Sequence, residues 1–318
     1  MKNIVVTGGA GYLGSTLVKI LLRNGYHVCV FDNLLHGGES LLGFWDEWGF
    51  DFIRGDILDE DKVSYAIRQC DAVVHLASIV GDPACSRVEN SHEINVEGSK
   101  NVIRACKKSK VGRLIFASTC SNYGNSGFEK NVVDESSPVK PISSYARDKV
   151  EIEKLVLSSG VPSTVLRFST LFGPSARMRF DLTVNEFVRD AFLKKSLEVF
   201  SPTSKRPYVH VFDAARAIVE ILTSDCRHVC GEIFNVGKTT QNYSKYIIVA
   251  EIQKAIDNVD VTYTNKEDDG RNYFVDFSKL NKVIGFLATR DLNVGILEVL
   301  QILRAGVISE PYAEKYRN

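Results

Sequence analysis

The sequence predicts an α/β fold: a doubly wound parallel sheet, with a smaller α/β lobe formed by the later part of the chain. Three observations predict it. Short runs rich in Val, Ile and Phe, without polar alternation, recur through the first half, as strands buried on both faces do. Amphipathic stretches such as GSTLVKILLRNG, with apolar residues three and four apart and a closing glycine, separate them. Regular alternation of the two implies right-handed βαβ units and a sheet covered by helices on both sides.

The first strand is NIVVT, and it runs straight into TGGAGYLG. Gly8 permits a tight turn, Gly11 lets the backbone approach a diphosphate, and Gly14 lets helix and strand pack closely. Tyr12 and Leu13 then open a helix whose N-terminus offers free N–H donors and the positive end of its dipole. The second strand, HVCVFD, ends in Asp32, eighteen positions past Gly14, with Asn33 beside it. An acid there is placed to bind the ribose of an adenine dinucleotide. Its carboxylate would repel a 2′-phosphate, and the following NLLHGG holds no Arg or Lys to attract one. The expected cofactor is therefore NAD rather than NADP.

The third strand, DFIRGD, brings Asp56 and Ile57 to the same end of the sheet. Asp56 suits either the adenine amino group or the cap of the next helix, and Ile57 suits the ring face. The fourth, AVVHLA, ends with His75, Leu76, Ala77 and Ser78. The last three leave room beside a cofactor, while His75 reads as a structural residue holding a loop. The fifth, RLIFAS, leads into STCSNYG, a cluster of hydroxyls, a thiol and an amide with no carboxylate. SSYARDKVEIEKLV opens a helix in which Tyr145 and Lys149, four apart, share a face. STVLRFS is the sixth strand and leads to Thr170.

The pattern loosens after Gly173. GPSARMRFDLTVNEFVRDAFLKK reads as a loop and a helix, RPYVHVFD, GEIFNVG and DVTYTN as short strands, and LNVGILEVLQILRAG as a last helix. Residues 1–172 are expected to form the dinucleotide-binding domain, with a later segment, about 207–240, returning to it. Residues 173–318 are expected to form a substrate lobe.

Composition bounds the partners. Of 318 residues, 44% are hydrophobic and 25% charged, and 39 basic side chains balance 39 acidic ones. That excludes a generally basic nucleic-acid or membrane surface while allowing a local patch for a phosphorylated ligand. No run reaches the roughly 18 apolar residues of a membrane helix, and the N-terminus lacks the pattern of a signal peptide. The cysteines number seven, and most sit in apolar segments. This suits free thiols in a reducing cytoplasm. Cys226 and Cys230 have metal-like spacing but no second Cys/His pair, so no metal is expected.

Tyr145 and Lys149 carry the chemistry. Removing a proton from a carbinol as hydride leaves requires a base, and a phenol with a pKa of about 10 is a poor one at neutral pH. A neighbouring ammonium and an oxidised nicotinamide both favour the phenolate. A drop of three units needs about 4 kcal/mol of differential stabilisation.

Together and in order, TGGAGYLG, HLAS, STCSNYG, SYARDK and RPYVHVFDAARA resemble the extended short-chain dehydrogenase/reductase family of nucleotide-sugar epimerases and dehydratases. The resemblance covers nearly the whole chain. It implies a Rossmann domain holding NAD, a lobe holding a nucleotide-sugar, and a homodimer formed through the helices after HLAS and at SSYARDK. It makes Tyr145 the base, Lys149 the residue that lowers its pKa and holds the nicotinamide ribose, and Thr119 the partner of the reacting sugar hydroxyl. Asn95 takes a supporting position. Arg206 and Arg271 fall where the family holds the nucleotide diphosphate, with Asn185 near it and Arg177 and Arg179 as further candidates. Thr170 stands where many relatives have Asn, which alters the sugar pocket.

In the family's 4,6-dehydratases, an Asp–Glu pair follows the position of Thr119. Here Cys120 and Ser121 stand instead, and they are poor substitutes for a carboxyl pair. No 4,6-dehydratase activity is therefore expected, and Cys120 is either an acid/base or a small packing residue. The expected reaction begins with C4 oxidation and ends as 4-epimerisation. The alternatives are a net dehydrogenase acting on a sugar such as a GDP-heptose, and a non-catalytic NAD sensor.

Overall fold

The computed structural model describes residues 2–125, 132–264 and 272–318. The chain opens with β1 (Asn3–Thr7), α1 (Tyr12–Arg23), β2 (His27–Asp32), β3 (Phe50–Arg54), α2 (Glu60–Ile67) and β4 (Ala72–His75). It continues with α3 (Asp82–Arg87), α4 (Ser91–Lys108), β5 (Arg113–Thr119), β6 (Val132–Val133), α5 (Ser144–Ser158), β7 (Ser163–Phe168) and β8 (Thr170–Phe172). Then follow α6 (Thr183–Leu193), β9 (Ser196–Phe200), β10 (Lys205–His210), α7 (Val211–Thr223), α8 (Cys226–Val229) and β11 (Glu232–Val236). The chain closes with β12 (Asn242–Ser244), α9 (Lys245–Ala255), β13 (Asp260–Thr264), β14 (Phe274–Val275), α10 (Ser278–Ile284) and α11 (Leu292–Arg304).

Among the described residues, seven parallel strands form the central sheet in the order β11-β7-β5-β4-β1-β2-β3. The strand order reverses between β1 and β4. In open α/β sheets the ligand crevice forms at such a switch point, beyond the carboxyl ends of the strands. The sheet is buried on both sides. Leu17, Val18 and Leu21 of α1 and Ala214, Ala215 and Ile218 of α7 cover one face. Val63 and Ile67 of α2, Val102 and Cys106 of α4, and Ile152 and Val156 of α5 cover the other. DFIRGD departs from the expectation of burial on both faces: β3 ends the sheet with one neighbour, and no residue in it is fully buried.

A second core joins Phe172, Val184 and Val188 to Ile248, Ile252, Ile296 and Val299, where α6, α9 and α11 meet. Beside it lie β12-β10-β8 and the parallel pair β13-β9. Glu232–Val236 pairs with β7 in the central sheet, and α7 packs on α1.

Cys226 and Cys230 correct the expectation of free thiols, because they form a disulfide with a Cα separation of 4.9 Å. Cys226 opens the single turn of α8 and Cys230 follows its last residue, and residues four apart across a helical turn lie on one face within disulfide reach. Cys29, Cys70, Cys85, Cys106 and Cys120 are free. Among the described residues no helix is long and apolar enough to cross a membrane.

Candidate active site

A cleft of about 840 Å³ opens over the carboxyl ends of β1, β2, β4 and β5. Its floor is the turn after β1. Gly8 adopts φ of +73°, its N–H donates to Phe31 O at 2.9 Å, and its carbonyl accepts from Gly11 N at 3.1 Å. A Cβ on Gly8 would fall 2.7 Å from Ala77 N, and one on Gly14 would fall 2.2 Å from Gly8 O. Only glycine allows this pinch. No side chain caps the start of α1, and Gly11, Tyr12 and Leu13 line the cleft there. The Tyr12 side chain itself points away from it, and its hydroxyl donates to Gly173 O at 2.5 Å.

Asp32 lies at the end of β2. Its carboxylate accepts from Ala10 N at 3.0 Å and from Leu34 N at 2.8 Å. Burial raises its pKa, and these bonds oppose the rise. Asp56 accepts from Asn33 Nδ2 and from Leu58 N, both at 2.9 Å. Asp59, not Asp56, caps the following helix, and Asp56, Ile57 and Asn33 all line the cleft. Glycine pinch, uncapped helix start and Asp32 together fit an adenine dinucleotide.

The wall beyond β4 consists of Leu76, Ala77 and Ser78. Buried Asn95 holds it: its Oδ1 accepts from Ser78 Oγ and from Ile79 N, both at 2.8 Å. His75 is a neutral bridge behind the wall, with Nδ1 2.7 Å from Thr7 Oγ1 and Nε2 2.9 Å from Ser99 Oγ. Burial, with the Lys149 charge nearby, lowers its pKa to about 3.

Helix α5 delivers Tyr145 and Lys149 to the cleft, 8% and 3% exposed. Ser143 caps the helix, its hydroxyl accepting from Ala146 N. Lys149 Nζ donates to Ala117 O at 3.0 Å and lies 5.6 Å from the centre of the Tyr145 ring. Burial brings its pKa down to about 8. Glu153, one turn further on, makes the supporting contacts. Its carboxylate takes Arg167 Nη2 at 2.7 Å and Nε at 2.9 Å, Asn122 Nδ2 at 2.8 Å and Ser118 Oγ at 2.5 Å. This buried network fixes the backbone on either side of Thr119. Thr119 lines the cleft, and its Oγ1 accepts from Ser121 N at 3.1 Å.

The substrate residues expected from the sequence divide. Ser121, Thr170, Arg179 and Arg206 line the cleft. Cys120 does not. It is 1% exposed, its thiol donates to Arg167 O at 3.3 Å, and burial holds its pKa well above that of a free thiol. The strand ends in a tight turn, Cys120–Tyr123, that rotates this residue into a cluster with Tyr123, Val133 and Tyr273. Cys120 is thus packed in a buried cluster outside the cleft lining. Asn185 also fails to reach the cleft. It is fully buried, with Oδ1 accepting from Gly173 N and Nδ2 donating to Arg179 O, both at 2.9 Å. Arg271 lies outside the described residues.

Arg179 is committed to Asp181 through Nε at 3.0 Å and Nη2 at 2.5 Å. Arg177, which also lines the cleft, donates Nη2 to Arg317 O at 2.6 Å. Glu186, Arg317 and Asn318 line the lobe side as well. No motif in the sequence marks these three, because they arrive through the packing of α6 and the final turn of the chain.

Residues 4–237 match the family model described as the NAD dependent epimerase/dehydratase family. A UDP-glucose 4-epimerase from Bacillus subtilis is 28% identical, over 91% of this chain and 93% of its own. A dTDP-glucose 4,6-dehydratase from Streptomyces niveus is 26% identical, over 95% and 93%. Among solved structures, the UDP-glucuronic acid 4-epimerase from Bacillus cereus in complex with UDP-glucuronic acid and NAD superposes with a TM-score of 0.83. That match is 26% identical and covers 95% of this chain and 99% of the other.

Proposed function

The chain belongs to the NAD-dependent epimerase/dehydratase family, and on that footing we propose that it oxidises a nucleotide sugar at C4 and returns the C4 epimer. The observation that carries this reading is the convergence of Tyr145, Lys149 and Thr119 on a cleft whose lobe side is lined by arginines. NAD, when bound, supplies reversible hydride acceptance. Gly8, Gly11 and the first turn of α1 take its diphosphate, and Asp32 takes the adenosine ribose and disfavours a 2′-phosphate. Tyr145 accepts the proton of the sugar C4 hydroxyl, and Thr119 Oγ1 bonds the same oxygen. The Lys149 ammonium stabilises the phenolate of Tyr145. Arg206 and Arg179 face the sugar nucleotide, guanidinium forks being suited to a diphosphate.

Water elimination demands an acid and a base beside the ketone. The two residues after Thr119 are a buried thiol and a hydroxyl, which supports epimerisation over 4,6-dehydration. The B. cereus 4-epimerase and the B. subtilis relative support C4 as the reacting carbon. A homodimer through α4 and α5 belongs to the same proposal. The outer faces of these helices carry His92, Glu97 and Arg104, and Arg147 and Lys154, so their association would rest on charge pairing.

Proton NMR with UDP-, GDP-, dTDP- and CDP-sugars in heavy water tests the reading. A new C4 diastereomer without deuterium is the expected result. A free ketone appearing with NADH would make the protein a net dehydrogenase, and a 4-keto-6-deoxy product would refute the exclusion of dehydration.

A further inference from the structure

Arg177 is 6% exposed, and its Nε has no acceptor among the described residues. Its neighbour Arg179 is held by Asp181. A buried guanidinium N–H that the chain itself does not satisfy calls for an acceptor from outside it. The surroundings of Arg177 say which. Two residues earlier, Ser175 fastens the loop to the first turn of α1: its Oγ donates to Tyr12 O at 2.6 Å and lies 2.9 Å from Ser15 Oγ. Across the cleft, burial and the charges of Arg177 and Arg179 bring His36 down to about 4. His36 lies four positions past Asp32. Arg177 therefore stands between the glycine turn and the loop that follows the ribose-binding acid. A bound dinucleotide's diphosphate runs through that interval, from the helix N-terminus toward the adenosine ribose.

We infer that Arg177 is a clamp on the dinucleotide's diphosphate, reaching it from the lobe side of the cleft and opposite the glycine turn. The inference rests on the reading that this cleft holds NAD. A sugar nucleotide carries the same diphosphate chemistry, but the attachment of Ser175 to α1 places Arg177 on the dinucleotide side. A cofactor covered in this way is retained while sugar nucleotides exchange, as a reaction that returns hydride to its own substrate requires.

The test strips the full-length protein of nucleotide and titrates NAD and ADP-ribose by calorimetry into wild type and Arg177→Gln. UDP and GDP are then titrated at saturating NAD, and thermal midpoints are taken with and without NAD. The expected result is a 10- to 100-fold weaker Kd for both NAD and ADP-ribose in Arg177→Gln, the loss of one charge-assisted hydrogen bond. Binding of the nucleoside diphosphates should stay within twofold. Arg177→Gln removes the unpaired Nε–H but also the Nη2 bond to Arg317 O, so the ligand-free midpoint should change little, and Arg177→Lys should recover part of the NAD affinity. NAD affinity within twofold of wild type would overturn the inference. A loss confined to UDP or GDP would overturn it too, by assigning Arg177 to the sugar nucleotide, and a lowered ligand-free midpoint would make Arg177 a structural residue. Wild type that binds neither NAD nor ADP-ribose would refute the NAD reading itself, independently of Arg177.

Discussion

Glu153→Leu should be among the most damaging single changes that leave the cleft wall itself untouched. It removes four accepted hydrogen bonds at once, from Arg167 Nε and Nη2, Asn122 Nδ2 and Ser118 Oγ. The side chains of Arg167 and Glu153 are 5% and 4% exposed, so water cannot replace the carboxylate. Among the described residues, Arg167 would keep only Tyr123, whose hydroxyl accepts at 3.1 Å. Removing one partner of a buried pair costs about 3–5 kcal/mol. With an unfolding entropy of about 2.1 cal/mol/K per residue, a chain of this length loses roughly 4–8 °C in Tm. Replacing both partners, Glu153→Leu with Arg167→Met, should recover much of the loss, since apolar substitutes for a buried ion pair are often neutral. It should not recover all of it, because Ser118 and Asn122 stay without their acceptor. Turnover should fall further than stability suggests, about 10- to 100-fold, because Ser118 precedes Thr119 and a small displacement there misaligns the sugar hydroxyl. Thermal unfolding followed by circular dichroism, with turnover measured well below the midpoint, reads both effects. A Tm within 1–2 °C of wild type for Glu153→Leu, or a double variant less stable than the single one, would refute the reasoning.

Three other perturbations follow from the same geometry. Tyr145→Phe should keep NAD binding and lose about 10²- to 10⁴-fold in turnover; unchanged turnover would remove Tyr145 from its role. Lys149 has a folded pKa of about 8, below its unfolded value, so between about pH 8 and 10.5 the unfolded chain holds the extra proton and stability rises with pH. The gain is up to about 3 kcal/mol; the Tm difference between wild type and Lys149→Met should therefore shift toward wild type across that window, and a flat difference would contradict the burial argument. His75 is held neutral to about pH 3, so its contribution is complete above its unfolded pKa of about 6.5 and is lost as pH falls toward 3, by up to about 5 kcal/mol. Acid unfolding of His75→Asn should be correspondingly shallower than that of wild type, and equal acid limbs would show that His75 protonates without cost.

The parts of the site written in local spacing were legible in the sequence. The glycine turn, Asp32 and the Tyr145–Lys149 face depend on residues close in the chain, and the structure brings them to one cleft. What was not legible depends on direction or on distant partners. Cys120 and Ser121 are adjacent, yet one tight turn sends the thiol inward and leaves the hydroxyl in the cleft. Asn185 looked like a ligand-binding amide, but Gly173 and Arg179, brought close by the loop before α6, use its polar atoms. Glu153 and Arg167 were not singled out in the sequence, because their pairing requires α5 to lie against β7. The disulfide at Cys226 had a local signal, the four-residue spacing, but composition argued for a different state of those thiols.

The place of Glu232–Val236 in the sheet bears on how this protein can be taken apart. A fragment ending near residue 172 would contain every glycine-turn and catalytic residue named above, and so looks like a natural unit to express. It would lack β11, leaving β7 as an unpaired apolar edge, and it would lack α7, uncovering Leu17, Val18 and Leu21. Open edges of that kind recruit other chains. The first half should therefore precipitate when produced by itself and become soluble when residues 205–240 are supplied, covalently or as a separate peptide. The two halves are interleaved in assembly even though the chemistry reads as belonging to one of them.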